Sequence, residues 1–224
     1  MTRRSPALLA RHTGGVVALR YRRSLVRTAV TAAAAGWPVV PGAWWSKAEG
    51  RFVCDVAGCR RTGLHPAVLT LGGMTTAGDG LVAHAIRHPE AVASKWRGHS
   101  YSVLMPTGET CDVVDVPAVT GRQLATQLDA RSNLGPVISA GSRWFLLTAP
   151  GGGKDATALG GDVLVHGQGS WIVLPPSLGP GGEPALWLAR PRRTGGVLPR
   201  RDDVIRLLEH PAVPAQRRPN HARV

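Results

Sequence analysis

At 224 residues, with 27 Lys and Arg against 14 Asp and Glu and a formal net charge of +13, the chain can hold one large domain with extensions. No apolar run reaches the ~18 residues a membrane-crossing helix needs, and the arginines of residues 1–12 are not followed by the apolar core and cleavage site of a secretory leader. Three cysteines, Cys54, Cys59 and Cys111, are too few and odd in number for a disulfide framework, which sets aside secretion and leads us to expect a cytoplasmic protein without a membrane partner.

The positive charge is concentrated at the ends. Residues 1–27 carry seven arginines and no acid, residues 190–224 carry nine arginines against Asp202, Asp203 and Glu209, and residues 28–189 hold eleven basic and eleven acidic side chains. Arginine-rich ends can hold phosphates through counterion release without sequence preference. They can equally be solvated surface. On this pattern the chain divides into a basic segment over 1–23, a domain over 24–191, and a basic tail over 192–224 that includes a short helix.

In chain order, Ser24 can cap a helix through Ala35, with Leu25, Val26, Ala29, Val30 and Ala33 as apolar positions and Gly36 as its stop. Trp37 to Pro41 reads as a short extended segment ending in a turn. The stretch from Cys54 to Pro66 then places two thiols and an imidazole within twelve residues on a glycine-containing loop. Cys54, Cys59 and His65 could supply three zinc ligands. A fourth is not evident nearby, and Cys111, His84, His88 and His99 are the donors found elsewhere. The alternative is a loop whose cysteines are merely buried and whose His65 caps a turn. Residues 67–97 read as helical around a glycine-rich interruption at 72–80, with Pro89 opening the second piece.

Tyr101 to Met105 is a strand candidate. The Pro106-Thr107-Gly108 turn leads from it into Cys111-Asp112-Val113-Val114-Asp115-Val116-Pro117, so a hairpin is expected. In this second stretch two carboxylates flank two valines. Successive strand side chains point to opposite faces, so Asp112 and Asp115 face opposite ways unless a bulge realigns them. Arg122 to Arg131 fits a helix, with Leu124 and Leu128 one turn apart. Val137 to Ser139, Trp144 to Thr148, Asp162 to His166, Ser170 to Leu174 and Leu186 to Leu188 read as further strands, and Asp202 can cap a last helix over Val204 to Glu209. Lys154, after Gly151 to Gly153, has neither the glycine spacing nor the Ser or Thr of a phosphate loop. Trp144, Trp171 and Trp187 are expected in the core rather than as platforms for stacked bases. The outcome is an α+β fold: an antiparallel-rich mixed sheet with flanking helices.

Several of these pieces recur in a telling order: the alanine-rich helix ending Gly36-Trp37-Pro38-Val39-Val40-Pro41; the loop Cys54, Cys59, Gly63-Leu64-His65-Pro66; Trp96; the Gly108 turn into Asp112-Val113-Val114-Asp115; and Gly167-Gln168-Gly169-Ser170-Trp171-Ile172-Val173-Leu174-Pro175-Pro176-Ser177. Together, from about Ala29 to Pro191, they resemble the bifunctional DNA primase/polymerase N-terminal (prim-pol) domain of the archaeo-eukaryotic primase superfamily. The resemblance implies a prim-pol-like fold, Mg²⁺ or Mn²⁺ held by an acidic pair on one strand and a further Asp on another, a His that helps hold nucleotide phosphates, and DNA or nucleotide as partner.

Carried onto this chain, the acidic pair falls on Asp115 and Pro117, so only Asp115 offers the Mg²⁺ or Mn²⁺ a ligand there, and Asp112 lies out of phase. The phosphate-binding His falls near Ser142-Arg143-Trp144, where Arg143 is the available phosphate contact. The third acid falls on Leu164, with Asp162 two residues away, and Ser177 closes the matched segment as a further nucleotide-binding candidate. The resemblance therefore implies a stand-alone domain that keeps the fold and has lost polymerase activity, working in nucleic-acid binding or replication-related regulation. The alternative is an active metal-dependent primase or DNA polymerase that uses Asp112, Asp115 and Asp162 in an altered geometry. A globular protein whose basic ends carry no particular role stays open beside both.

Overall fold

In the computed structural model, residues 16–61, 63–67, 69–70, 73–74, 79–151, 157–158, 162–191 and 196–210 are described below. The first element is a helix, α1 (Val16–Ala34). It starts well before Ser24, because Ala, Leu and Arg between 16 and 23 are strong helix formers and no Gly or Pro interrupts them. Ser24 is thus internal to the helix and not its cap. Gly36, with φ at 81°, lies just past the end, as expected of a residue that takes the left-handed conformation without strain. Leu25, Ala29, Ala32 and Ala33 bury one stripe of α1, which packs on α3 (Pro89–Gly98), where Val92 and Trp96 are buried and Pro89 opens the helix.

Two antiparallel sheets carry the remainder. The strands β1 (Val40–Gly42), β6 (Ser102–Pro106) and β12 (Trp171–Val173) form one, with β6 in the middle. The other has six strands in the order β10 (Thr157–Ala158), β11 (Leu164–His166), β7 (Asp112–Pro117), β9 (Arg143–Thr148), β8 (Val137–Ala140) and β13 (Leu186–Ala189). Two short ladders join β2 (Trp44–Ser46) to β3 (Arg51–Val53) and β4 (Leu69–Thr70) to β5 (Gly73–Met74). The last of these stands where helix was expected before the glycine-rich interruption at 72–80, whereas α2 (Asp79–Ala83) follows the ladder and the helix expected to open at Pro89 is α3. The ladder runs into the glycine-rich patch, which favours turns over a continuous helix.

The expected hairpin between 101–105 and 111–117 does not form. β6 belongs to the three-stranded sheet and β7 to the six-stranded one. The turn between them explains the crossing. Gly108 has φ at 95°, and a Cβ there would come within 2.2 Å of the Gln168 Cα. Thr107 donates its N–H to the Ser170 carbonyl at 3.1 Å and its hydroxyl to the Gly167 carbonyl at 2.6 Å. The 167–170 turn links β11 to β12, so two of the chain's passages between the sheets, β6 to β7 and β11 to β12, are fastened to each other at one point.

Helices α4 (Ala118–Ala130) and α5 (Arg201–Glu209) lie on the far face of the six-stranded sheet. There Val114, Val116 and Leu146 form a core with Leu124, Leu128, Val204 and Leu207. Gly121 lets α4 approach closely, since a Cβ would fall 2.7 Å from the Trp144 Cβ. On the other face Val113, Ile138, Phe145 and Leu147 join α1, α3 and β6 in the larger core. Trp144 packs on the smaller core and Trp171 and Trp187 on the larger, as expected of core tryptophans. The fold is α+β with antiparallel sheets. Part of the basic tail, through Val204 and Leu207 of α5, packs into it, while residues 1–15, 192–195 and 211–224 lie outside the described residues. Lys154 also lies outside them. Among the described residues no helix is long and apolar enough to cross a membrane.

Candidate functional site

Strand β7 is flanked by β9 and β11 and buried on both faces. Its register with β9 runs unbroken from Asp112 opposite Thr148 to Pro117 opposite Arg143. No bulge intervenes, so the strand's two-residue period holds and Asp112 and Asp115 project from opposite faces.

Asp115 shares its face with Val113, Pro117, Arg143, Phe145, Leu164 and His166, each placed there by direct pairing or by alternation along its strand. The residue is 6% exposed. Arg143 donates from Nε to Asp115 Oδ1 at 2.7 Å and from one terminal nitrogen to the Asp115 and Asp162 carbonyls at 3.1 and 2.7 Å. His166 Nε2 lies 3.1 Å from Asp115 Oδ2, and its Nδ1 lies 2.9 Å from the Ser170 hydroxyl oxygen. A carboxylate only accepts. With Asp115 ionised, Nε2–H therefore donates to it, and in the neutral ring Nδ1 accepts the Ser170 hydroxyl proton. The result is a continuous chain from Ser170 through His166 and Asp115 to Arg143.

Asp112, 1% exposed, turns into the smaller core. Its Oδ2 accepts from the Gly151 N–H at 2.8 Å and from Arg201 at 2.9 Å, and Arg201 also donates to the Gly151 carbonyl at 3.0 Å. The other oxygen, Oδ1, has no hydrogen-bond partner among the described residues. Asp162 is exposed in the turn before β11 and outside its ladder, because that strand begins at Leu164. It reaches Arg143 through its carbonyl. The three carboxylates therefore do not converge: among the described residues, the one group of three His, Cys, Asp or Glu donors close enough to share an ion is Cys54, Cys59 and His65.

The Asp115 face does not fit a pair of Mg²⁺ or Mn²⁺ ions. Such ions take several hard oxygen ligands each, and two must be held close together. This face offers one carboxylate already paired with a guanidinium, next to a proline that cannot ligate. Ser177 is fully buried, and its hydroxyl oxygen accepts the Val103 N–H of β6 at 2.8 Å. Its oxygen thus anchors a loop to the three-stranded sheet.

Cys54, Cys59 and His65 gather in the segment after β3. Burial pushes the Cys54 thiol up, with neighbouring Cys59 adding to it, and burial pushes the His65 imidazole down against the Gly63 carbonyl that supports its charge. Cys111 lies in the larger core, its thiol pushed up to about 12 by burial and by the adjacent Asp112. His99 stacks on Trp44 with ring centroids 5.0 Å apart, and His84 and His88 are exposed. None of these joins the group of three.

Two site residues escaped the sequence reading. His166 carried a signal, since it lies two residues beyond Leu164 and alternation returns it to the same face. Arg201 carried none: it meets Asp112 from 89 residues away.

A family model described as bifunctional DNA primase/polymerase, N-terminal, matches residues 29–201. No relative among curated proteins matches the chain. The chain belongs to this prim-pol family, and its match reaches Arg201, the residue that neutralises Asp112.

Proposed function

We propose that this prim-pol domain is catalytically degenerate and works by holding DNA or nucleotide, in nucleic-acid binding or replication-related regulation. The observation that carries the reading is the cation on Asp115. At the position where the resemblance places a metal-binding acid, Arg143 occupies Oδ1 at 2.7 Å and His166 approaches Oδ2 at 3.1 Å. Nucleotidyl transfer depends on closely held divalent ions that neutralise charge on the attacking and leaving oxygens. A guanidinium supplies charge but no open coordination position. It suits the recognition of a phosphate rather than its transfer. Arg143 keeps a solvent edge, with its side chain 28% exposed. The arginines at 20, 22, 23 and 27 of α1 add positive charge without a neighbouring acid in the sequence.

Two measurements test this. In primer extension with Mn²⁺ and labelled nucleotides, the protein and its Asp115→Ala variant are expected to incorporate equally little. Incorporation by the protein clearly above the variant overturns the reading in favour of an active enzyme using Asp112, Asp115 and Asp162. By fluorescence anisotropy, binding to single-stranded DNA is expected to weaken about 20-fold between 50 and 200 mM salt if about three phosphates are contacted. Binding that ignores salt, or no binding at low salt, overturns the nucleic-acid part.

A further inference from the structure

The Cys54, Cys59 and His65 group has no part in the Asp115 face, and its geometry carries its own inference. The three ligand atoms lie within 4.8 Å of one another. A tetrahedral zinc with Zn–S near about 2.3 Å and Zn–N near about 2.0 Å sets its ligand atoms roughly 3.5–3.8 Å apart. Cys59 Sγ and His65 Nε2, 3.4 Å apart, already have nearly that separation. The histidine is also prepared for an ion. Its Nδ1 lies 2.6 Å from the Gly63 carbonyl, which can only accept, so Nδ1 carries the proton and Nε2 turns its lone pair toward Cys59. A backbone carbonyl on the far nitrogen is the usual support of a metal-bound imidazole.

The three ligands are held by separate pieces of backbone. His65 is 3% exposed, and its carbonyl accepts the Ala43 N–H at 2.8 Å while Pro66 bridges Gly42 at the edge of β1. Cys54 directly follows β3, which Phe52 anchors in the interior. Cys59 closes a turn on the Val56 carbonyl, with Gly58 at φ 73°.

We propose that Cys54, Cys59 and His65 bind one zinc ion, with solvent in the fourth position, and that the ion clips the β2–β3 hairpin to the edge of β1. Two thiolates and an imidazole select zinc over Mg²⁺ or Mn²⁺, which prefer oxygen. On binding, the two thiol protons leave to solvent and two sulfur–zinc bonds and one nitrogen–zinc bond form, so the ion together with its two thiolates carries no net charge. The site is independent of the proposed loss of catalysis, and its test reads metal rather than activity.

Full-length protein purified from zinc-supplemented cells is expected to carry about one zinc per chain by elemental mass spectrometry. Cys59→Ser and Cys54→Ser are each expected to reduce that to background, with far-ultraviolet circular dichroism to check folding. As a measurement free of folding defects, wild-type protein stripped with a chelator is titrated with Co²⁺. Saturation near one equivalent, with a thiolate-to-cobalt charge-transfer band and a rise in melting temperature, is expected. Wild-type protein without zinc and without that band, or zinc retained in both cysteine variants, overturns the proposal.

Discussion

The two faces of β7 make a comparison within six residues. Each carries one aspartate, and each aspartate is met by one arginine from later in the chain. On the Asp112 face the carboxylate is sealed beneath α5, and Arg201 also holds the Gly151 loop. On the Asp115 face the arginine keeps contact with solvent, and a histidine and a serine extend the chain of hydrogen bonds. The same charge pair is therefore closed on one face and reachable from solvent on the other, and the proposed function uses only the second. A carboxylate in a family's acidic strand does not by itself report a metal site; what neutralises it does.

The comparison breaks most visibly at Arg201. Arg201→Ala leaves Asp112 buried with only the Gly151 N–H, and is expected to cost about 3 kcal/mol in urea denaturation at unchanged slope. A loss no larger than that of Arg143→Ala removes the distinction between the faces. The next effect is a gain. Pro117→Asp with Arg143→Ala puts two acids on the Asp115 face and removes the competing cation, and should raise Mn²⁺ affinity roughly tenfold by titration calorimetry. The matching pair on the closed face, Val114→Asp with Arg201→Ala, should give folded protein with no such gain or no folded protein; metal binding there contradicts the comparison. Arg143→Ala alone is expected to cost about 1 kcal/mol, because water can reach the carboxylate it leaves. Least of all, Ser170→Ala should change stability by about 0.5 kcal/mol or less, since water can replace a hydroxyl at the end of the chain, while weakening any single-stranded DNA binding that depends on the orientation of His166.

Local chemistry was legible in the sequence. The valine-rich strand, the three-residue spacing that sends its acids apart, the helix stop at Gly36 and the clustering of Cys54, Cys59 and His65 all follow from residue types at short range. Pairings across the chain were not. The hairpin expected at Gly108 depended on proximity in sequence, whereas the actual strand partners of β6 and β7 come from residues 40–42, 143–148, 164–166 and 171–173. Arg201 looked like part of a basic tail because composition records charge and not what charge is buried against. The start of α1 was missed for a related reason: a run of arginines suggests solvent, yet it is also a run of good helix formers.

The close approach of Gly108 to Gln168, beside the hydrogen bonds of Thr107, makes one glycine, itself no part of the site, the pin on which the site turns. The strand it releases carries Asp115, and the turn it touches carries Ser170 and follows His166 directly. A side chain at position 108 would strike the Gln168 backbone before it reached any functional group, and would shift the acid and the imidazole against each other without touching either. The β7–β11 ladder sets the register between them, pairing Leu164 with Asp115 and His166 with Val113, and the contact at Gly108 holds the ends of both strands, so variation there would look silent in a motif and still disturb their hydrogen bond.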